Sequence, residues 1–132
     1  MSEPRVTIAL IVKNESNNLD GFFETIQPIA DELVVAYSPS SDDTLAKLEA
    51  WKKKANYPVI IFEPTMQPFH YGQARNTTIE HATSEYVFLL DTDERIPEYT
   101  ARNLKNFLRE KNRKYNHDYL FLLEKRYRFS TF

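Results

Sequence analysis

Three carboxylates fall within four positions at Asp91-Thr92-Asp93-Glu94, directly after the uncharged run Tyr86-Val87-Phe88-Leu89-Leu90. Grouped carboxylates repel one another unless a cation or hydrogen bonds compensate. Hard divalent cations such as Mg²⁺ and Mn²⁺ take oxygen ligands and bridge to phosphate oxygens. The chemistry this spacing suits is a metal–diphosphate site. Asp91 and Asp93 alternate along an extended chain, and a turn after the strand brings both near one ion. Asp-Xaa-Asp by itself also suits a solvated acidic turn that ends a core strand, so the rest of the chain has to decide.

A chain of 132 residues fits one domain, and 42% apolar with 14% aromatic residues supplies a core. The formal net charge of −2 implies no general affinity for nucleic acid. The absence of cysteine excludes disulfides and thiolate metal sites and is compatible with a reducing compartment. The apolar run from Val6 to Val12 is too short to span a bilayer and has no small-residue cleavage pattern, so a soluble, cytoplasmic protein is expected. Only Gly21 and Gly72 occur, which rules out a glycine-rich phosphate loop.

The elements that must position the carboxylates alternate between strand and helix, the pattern of an α/β domain with a largely parallel sheet. Val6–Val12 reads as the first strand, ended by Lys13, Asn14 and Glu15. Ser16 or Asn17 caps a helix whose Leu19, Phe22, Phe23 and Ile26 recur at helical spacing. Leu33–Tyr37 is the second strand, and Ser41 or Asp42 caps a helix with Leu45, Leu48 and Trp51 on one face. Val59–Phe62 is the third strand. A loop to Tyr71, a helix over 72–82 and the strand Tyr86–Leu90 follow. Pro97 opens a further helix with Leu104, Phe107 and Leu108 inward, and Tyr119–Leu123 reads as a last strand before a basic, aromatic tail.

Strands one, two and four each end in polar residues: Lys13, Asn14 and Glu15; Tyr37 and then Asp42; Asp91 and Asp93. In a parallel sheet these ends share one edge, where open α/β sheets bind ligands. Arg75 opens a helix after a long loop. Its guanidinium suits phosphate, and a surface pair with Glu80 or Glu94 is the plain alternative. His70, between Phe69 and Tyr71, suits a pocket wall, whereas His81 suits a helix face. Core packing is the expected role for most of Tyr115, His117, Tyr119, Tyr127 and Phe129.

Several stretches together resemble glycosyltransferase family 2, the nucleotide-sugar-dependent transferases of the GT-A fold. They are Ile8–Glu15, Asp31–Val35, Ser40–Thr44, Ala74-Arg75-Asn76 and Phe88–Pro97, in the family's order and approximate spacing. The Lys-Asn-Glu form is similar to members acting on lipopolysaccharide core or related glycans. The resemblance implies a Rossmann-like sandwich with a mainly parallel central sheet, short on its C-terminal side. It would be one domain over 1–132, with a nucleotide-binding part at 5–97 and an acceptor-side part at 98–132. It also implies an inverting, metal-dependent transfer from a nucleotide-sugar to a glycan or lipid-linked acceptor hydroxyl. Lys13, Asn14 and Glu15 would lie beside the nucleotide, and Asp42 and Arg75 would take the family's acidic and basic positions. Asp91 would approach the ribose and the metal-bound diphosphate, with Thr92 on the substrate side, and Asp93 would ligate Mn²⁺ or Mg²⁺. Tyr37 stands where the family usually has an aspartate that hydrogen-bonds the base, and it can stack there instead. Pro39 stands where glycine is common. Of Asp118 and Glu124, Glu124 is the better candidate for the catalytic base because it follows a strand.

Two other readings are open on these residues. One is a non-catalytic nucleotide-sugar-binding module, or a truncated transferase, on the same fold. The other is a phosphatase of the haloacid dehalogenase type, which places Asp-Xaa-Asp on its first strand rather than the fourth. The basic, aromatic tail suits contact with a membrane-borne acceptor or with a second subunit.

Overall fold

The computed structural model describes residues 4–64 and 71–115. Its elements are β1 (Val6–Val12), α1 (Ser16–Ile26), β2 (Glu32–Tyr37), α2 (Thr44–Lys54), β3 (Val59–Phe62), α3 (Tyr71–His81), β4 (Tyr86–Leu89) and α4 (Glu98–Tyr115). The strands form a parallel sheet in the order β3-β2-β1-β4. β1 lies inside, with Val12 opposite Tyr37 of β2 and Ala9 opposite Leu89 of β4.

Strand alternation divides the apolar residues between two faces. Ile8, Leu10 and Val12 join Leu33, Val35, Tyr37, Phe88 and Leu90 under α1 and α4, which contribute Phe22, Ile26, Leu104 and Leu108. Ala9, Val87 and Leu89 face the other way, against Ile79 and Ala82 of α3 and the turn after it. Apolar side chains on both faces explain why the strands read as continuous runs. Phe107, expected inward, is 43% exposed, and Leu45 is 39% exposed. The inward line of α4 runs through Ala101, Leu104 and Leu108. Phe107 is one step round the helix from it, as Leu45 is from Thr44 and Leu48 on α2. The expected strand Tyr119–Leu123 and the tail lie outside the described residues.

The N-terminal edge of the sheet is tied by two acids. Asp31 accepts hydrogen bonds from the Val6 N–H at 2.8 Å and from the Lys105 ammonium, which also donates to the Pro4 carbonyl. Glu32 is buried, and its carboxylate accepts from the Thr7 hydroxyl at 2.7 Å and from the Thr83 N–H and hydroxyl at 2.9 and 3.0 Å. One side chain thus joins β2, β1 and the turn entering β4. Glu32→Ala leaves the buried Thr7 hydroxyl and the Thr83 amide without this acceptor. We expect it to cost about 3 kcal/mol in urea unfolding. A loss below about 0.5 kcal/mol would show that the carboxylate does not hold this edge.

Candidate active site

Because the strands are parallel, the loops leaving β1, β2 and β4 all emerge at one edge. The chain steps from β1 to β2 to β3 and then crosses back to place β4 beyond β1. The neighbouring ends of β1 and β4 are therefore a topological switch point, where a crevice opens between diverging connections.

The loops after β1 and β2 are joined to each other. Asn14 has φ of 53°, a left-handed conformation that asparagine tolerates better than most residues. In that conformation its N–H donates to Ser40 Oγ at 2.9 Å, and its Oδ1 accepts from the Ser41 N–H at 2.7 Å. The Glu15 N–H donates to Thr44 Oγ1 at 3.0 Å, and the Glu15 carboxylate accepts from the Asn18 side chain. Asp42 serves both helix starts: Oδ2 accepts from the Ser16 N–H at 3.2 Å, and Oδ1 accepts from the Thr44 N–H at 3.0 Å and the Thr44 hydroxyl. The first N–H groups of a helix have no partner within it, and this carboxylate satisfies one of them at each of α1 and α2. Those bonds, the Thr44 hydroxyl first and the Thr44 and Ser16 amides adding to it against some desolvation, hold the Asp42 carboxyl below its ordinary value. Tyr37 is nine-tenths buried among core residues, and its hydroxyl accepts from the Ser40 N–H at 3.2 Å. Its ring thus supports the loop from beneath.

The acidic turn follows β4. The Leu90 N–H donates to the Ala9 carbonyl at 3.1 Å, and the chain then leaves the sheet. The Asp91 N–H donates to the Glu94 carboxylate at 2.6 Å and the Glu94 N–H to the Asp91 carbonyl at 3.0 Å, which closes the turn on itself. Thr92 and Glu94 are buried, Asp91 is half-buried and Asp93 is exposed. Of the three grouped acids, Glu94 thus folds the turn, while Asp91 and Asp93 reach the rim. Lys13 is exposed at the same edge.

Among the described residues no group of three or more His, Asp or Glu side chains is gathered to hold a metal. Two carboxylates on one rim turn nevertheless fit Mg²⁺ or Mn²⁺. Such ions are bound through one or two carboxylates, with phosphate oxygens and water completing the shell, rather than in an all-protein cage. Arg75 is half-buried in the second turn of α3, which begins four residues earlier at Tyr71, and forms no ion pair among the described residues, so it is committed to neither Glu80 nor Glu94. Glu124, Asp118 and His70 lie outside the described residues. The roles of Ser40, Ser41 and Thr44 as links between loops, and of Asp31 and Glu32 at the opposite edge, were not apparent from the sequence. The signal was present in the density of Ser, Thr and Asp over 38–44, which marks mutual capping as readily as ligand contact.

An open, doubly wound parallel sheet with polar loops gathered at its switch point defines a ligand-binding α/β domain. The family model described as glycosyl transferase family 2 matches residues 7–118, and the chain belongs to that family. The glycosyltransferase SunS of the SPβ prophage of Bacillus subtilis strain 168 is 34% identical over 90 residues, which cover 68% of this chain and 20% of SunS. The mannosyltransferase PcManGT from Pyrobaculum calidifontis, solved with GDP-Man and Mn²⁺, superposes with a TM-score of 0.66 at 26% identity, covering 80% of this chain and 32% of that one. S. aureus TarS 1–349, solved with UDP-GlcNAc, superposes with a TM-score of 0.65 at 21% identity, covering 82% and 32%. The fold is GT-A, and the chain spans about a fifth of SunS. No described helix is long and apolar enough to cross a membrane.

The lowered Asp42 value has a consequence for stability. A carboxylate whose folded value is depressed stabilises the fold above its unfolded value, and that contribution drains away as pH falls through the folded one. Asp42→Asn should therefore lower the melting temperature at pH 7 and flatten its decline below about pH 4. Parallel acid profiles of the two proteins would count against the shared cap.

Proposed function

We propose that this chain binds a nucleoside diphosphate sugar at the rim between β1 and β4 and takes part in transferring the sugar, with inversion, to an acceptor hydroxyl. The observation that carries this reading is the meeting of the Lys13–Glu15, Ser38–Asp43 and Asp91–Glu94 loops at one sheet edge. Family membership and the nucleotide-sugars bound by PcManGT and TarS support it.

In this reading Lys13, Asn14 and Glu15 line the nucleotide, and the Asp42 clasp fixes the loop that shapes the base pocket. Tyr37 acts through that loop unless the ring swings out to stack. Arg75 offers a planar, permanently charged donor to the diphosphate. Asp91 and Thr92 meet the ribose side, and Asp93 and Asp91 hold Mn²⁺ or Mg²⁺. Such an ion, when bound, stabilises the charge that develops on the departing nucleoside diphosphate. Glu124 is the proposed base for the acceptor hydroxyl of a glycan or lipid-linked glycan. A soluble, cytoplasmic setting, with the tail meeting a membrane-borne acceptor or a second copy, belongs to the same proposal.

The chain's short span relative to SunS and PcManGT favours a second reading, that of a binding module or one part of a longer transferase. It predicts donor binding without transfer or donor hydrolysis.

A thermal-shift series of UDP, GDP and their sugars, with and without Mn²⁺, tests the site, because a ligand that binds only the folded state raises the melting temperature. Asp93→Ala should abolish the Mn²⁺-dependent part of nucleoside diphosphate binding by calorimetry. Being at an exposed position, the change should move stability by no more than about 0.5 kcal/mol. Unchanged calorimetric binding would remove Asp93 from the site.

A further inference from the structure

We propose that Arg95 is the positioning residue of the Asp91–Asp93 turn and that Gly21 keeps open the slot its guanidinium occupies. This rests on the reading of that turn as the metal–diphosphate site, and it adds what holds the turn in register with the rest of the rim. Arg95 Nη1 donates to the carbonyl of Thr92, the residue between the two aspartates, and to the Glu94 carbonyl at 2.9 Å. Nη2 donates to the Asn18 carbonyl on α1 at 3.1 Å. One rigid, charged fork therefore bridges the acidic turn and the helix that begins at the Lys13–Glu15 loop. Charge-assisted bonds of this kind are stronger than neutral ones.

Glycine inside a helix is unfavourable, so its place in the middle of α1 needs a reason. A Cβ at position 21 would fall 2.6 Å from Arg95 Nη2 and 3.0 Å from Nε. The guanidinium thus lies flat against the glycine of the helix. Asn18, Gly21 and Thr25 follow one line along α1. At the far end of that line the Thr25 hydroxyl accepts from the Ile96 N–H at 2.8 Å. The neighbouring face of the same helix carries Leu19, Phe22, Phe23 and Ile26 into the core. α1 is in this way fixed by its apolar face and uses the flank beside it to hold the acidic turn.

The geometry separates position from stability. The atom that a Gly21→Ala methyl meets is the end of a flexible side chain, which can move aside, and alanine favours the helix. Gly21→Ala should therefore keep or raise the melting temperature while displacing the guanidinium. Removal of an outer group that orients metal ligands typically weakens metal binding by about 10–100-fold. We expect Gly21→Ala and Arg95→Met each to weaken Mn²⁺ binding, read by calorimetry and by Mn²⁺ broadening of the Thr92 and Asp93 amides, by about tenfold. Amide exchange over residues 91–95 should quicken in both, with the rest of the sheet unchanged. If the glycine acts through the arginine, Gly21→Ala adds nothing in the Arg95→Met background. Unaltered Mn²⁺ affinity and unaltered exchange in both single variants would overturn the proposal, as would full additivity of the pair. Should the unsubstituted chain bind no Mn²⁺ at this turn, the metal reading falls by itself. Exchange over 91–95 then decides alone whether Arg95 and Gly21 hold the turn.

Discussion

β1 is enclosed on every side. It pairs with β2 and β4, and its two faces are covered by separate apolar layers. A strand in that position has no free surface along its length, so everything polar near it must happen at its two ends. At the N-terminal end, Asp31 and Glu32 gather β1, Lys105 of α4 and the turn entering β4. At the C-terminal end, Asn14, Asp42 and the turn after β4 gather the loops. The same enclosure that makes the strand stable therefore delivers polar side chains from distant parts of the sequence to one rim.

The rim is built so that helix starts and loops complete each other. Four N–H groups at the beginning of any helix lack partners within it. Here neither Glu15 nor Asp43, the residues at the helix caps, supplies its own side chain for that purpose. The acceptor comes instead from Asp42, which reaches the starts of both α1 and α2. A cap shared between two helices fixes their relative position as well as their ends. It also couples the loops after β1 and β2, because movement of one withdraws a hydrogen bond from the other.

Much of this was legible beforehand for physical reasons. Val6–Val12 and Val59–Phe62 match their strands in full, because each is a near-continuous apolar run, although only β1 is buried almost throughout and β3, at the sheet edge, is half-buried beyond Val59. α1 was expected from its apolar residues at helical spacing, but it starts at Ser16 with Glu15 at the cap position rather than Ser16 or Asn17, because the acceptor for the Ser16 N–H comes from Asp42 on another loop. The GT-A fold followed from ordered motifs rather than from periodicity. What stayed hidden were contacts between side chains far apart in the sequence. Nothing local marks Glu32 as the acceptor of Thr7 and Thr83, or Tyr37 as a buried support for Ser40. Phe107 was misplaced because a single step round a helix, about 100°, separates an inward residue from an exposed one.

The two acids of the motif Asp91-Thr92-Asp93-Glu94 that look alike in sequence, Asp93 and Glu94, behave differently for a reason the turn supplies. The turn places Thr92 and Glu94 inward and Asp93 outward, and Glu94 folds back onto the Asp91 amide. The longer of the two side chains makes that return. The motif thus divides its labour by length: the shorter acids are presented at the rim, and the longer one shapes the turn that presents them. The arrangement also limits repulsion. The Glu94 carboxylate is drawn away from the rim pair into a hydrogen bond with the Asp91 N–H. Half-buried Asp91 and exposed Asp93 stand at the rim, and the separation of the acid that folds the turn from these two is what a bare count of carboxylates could not have revealed.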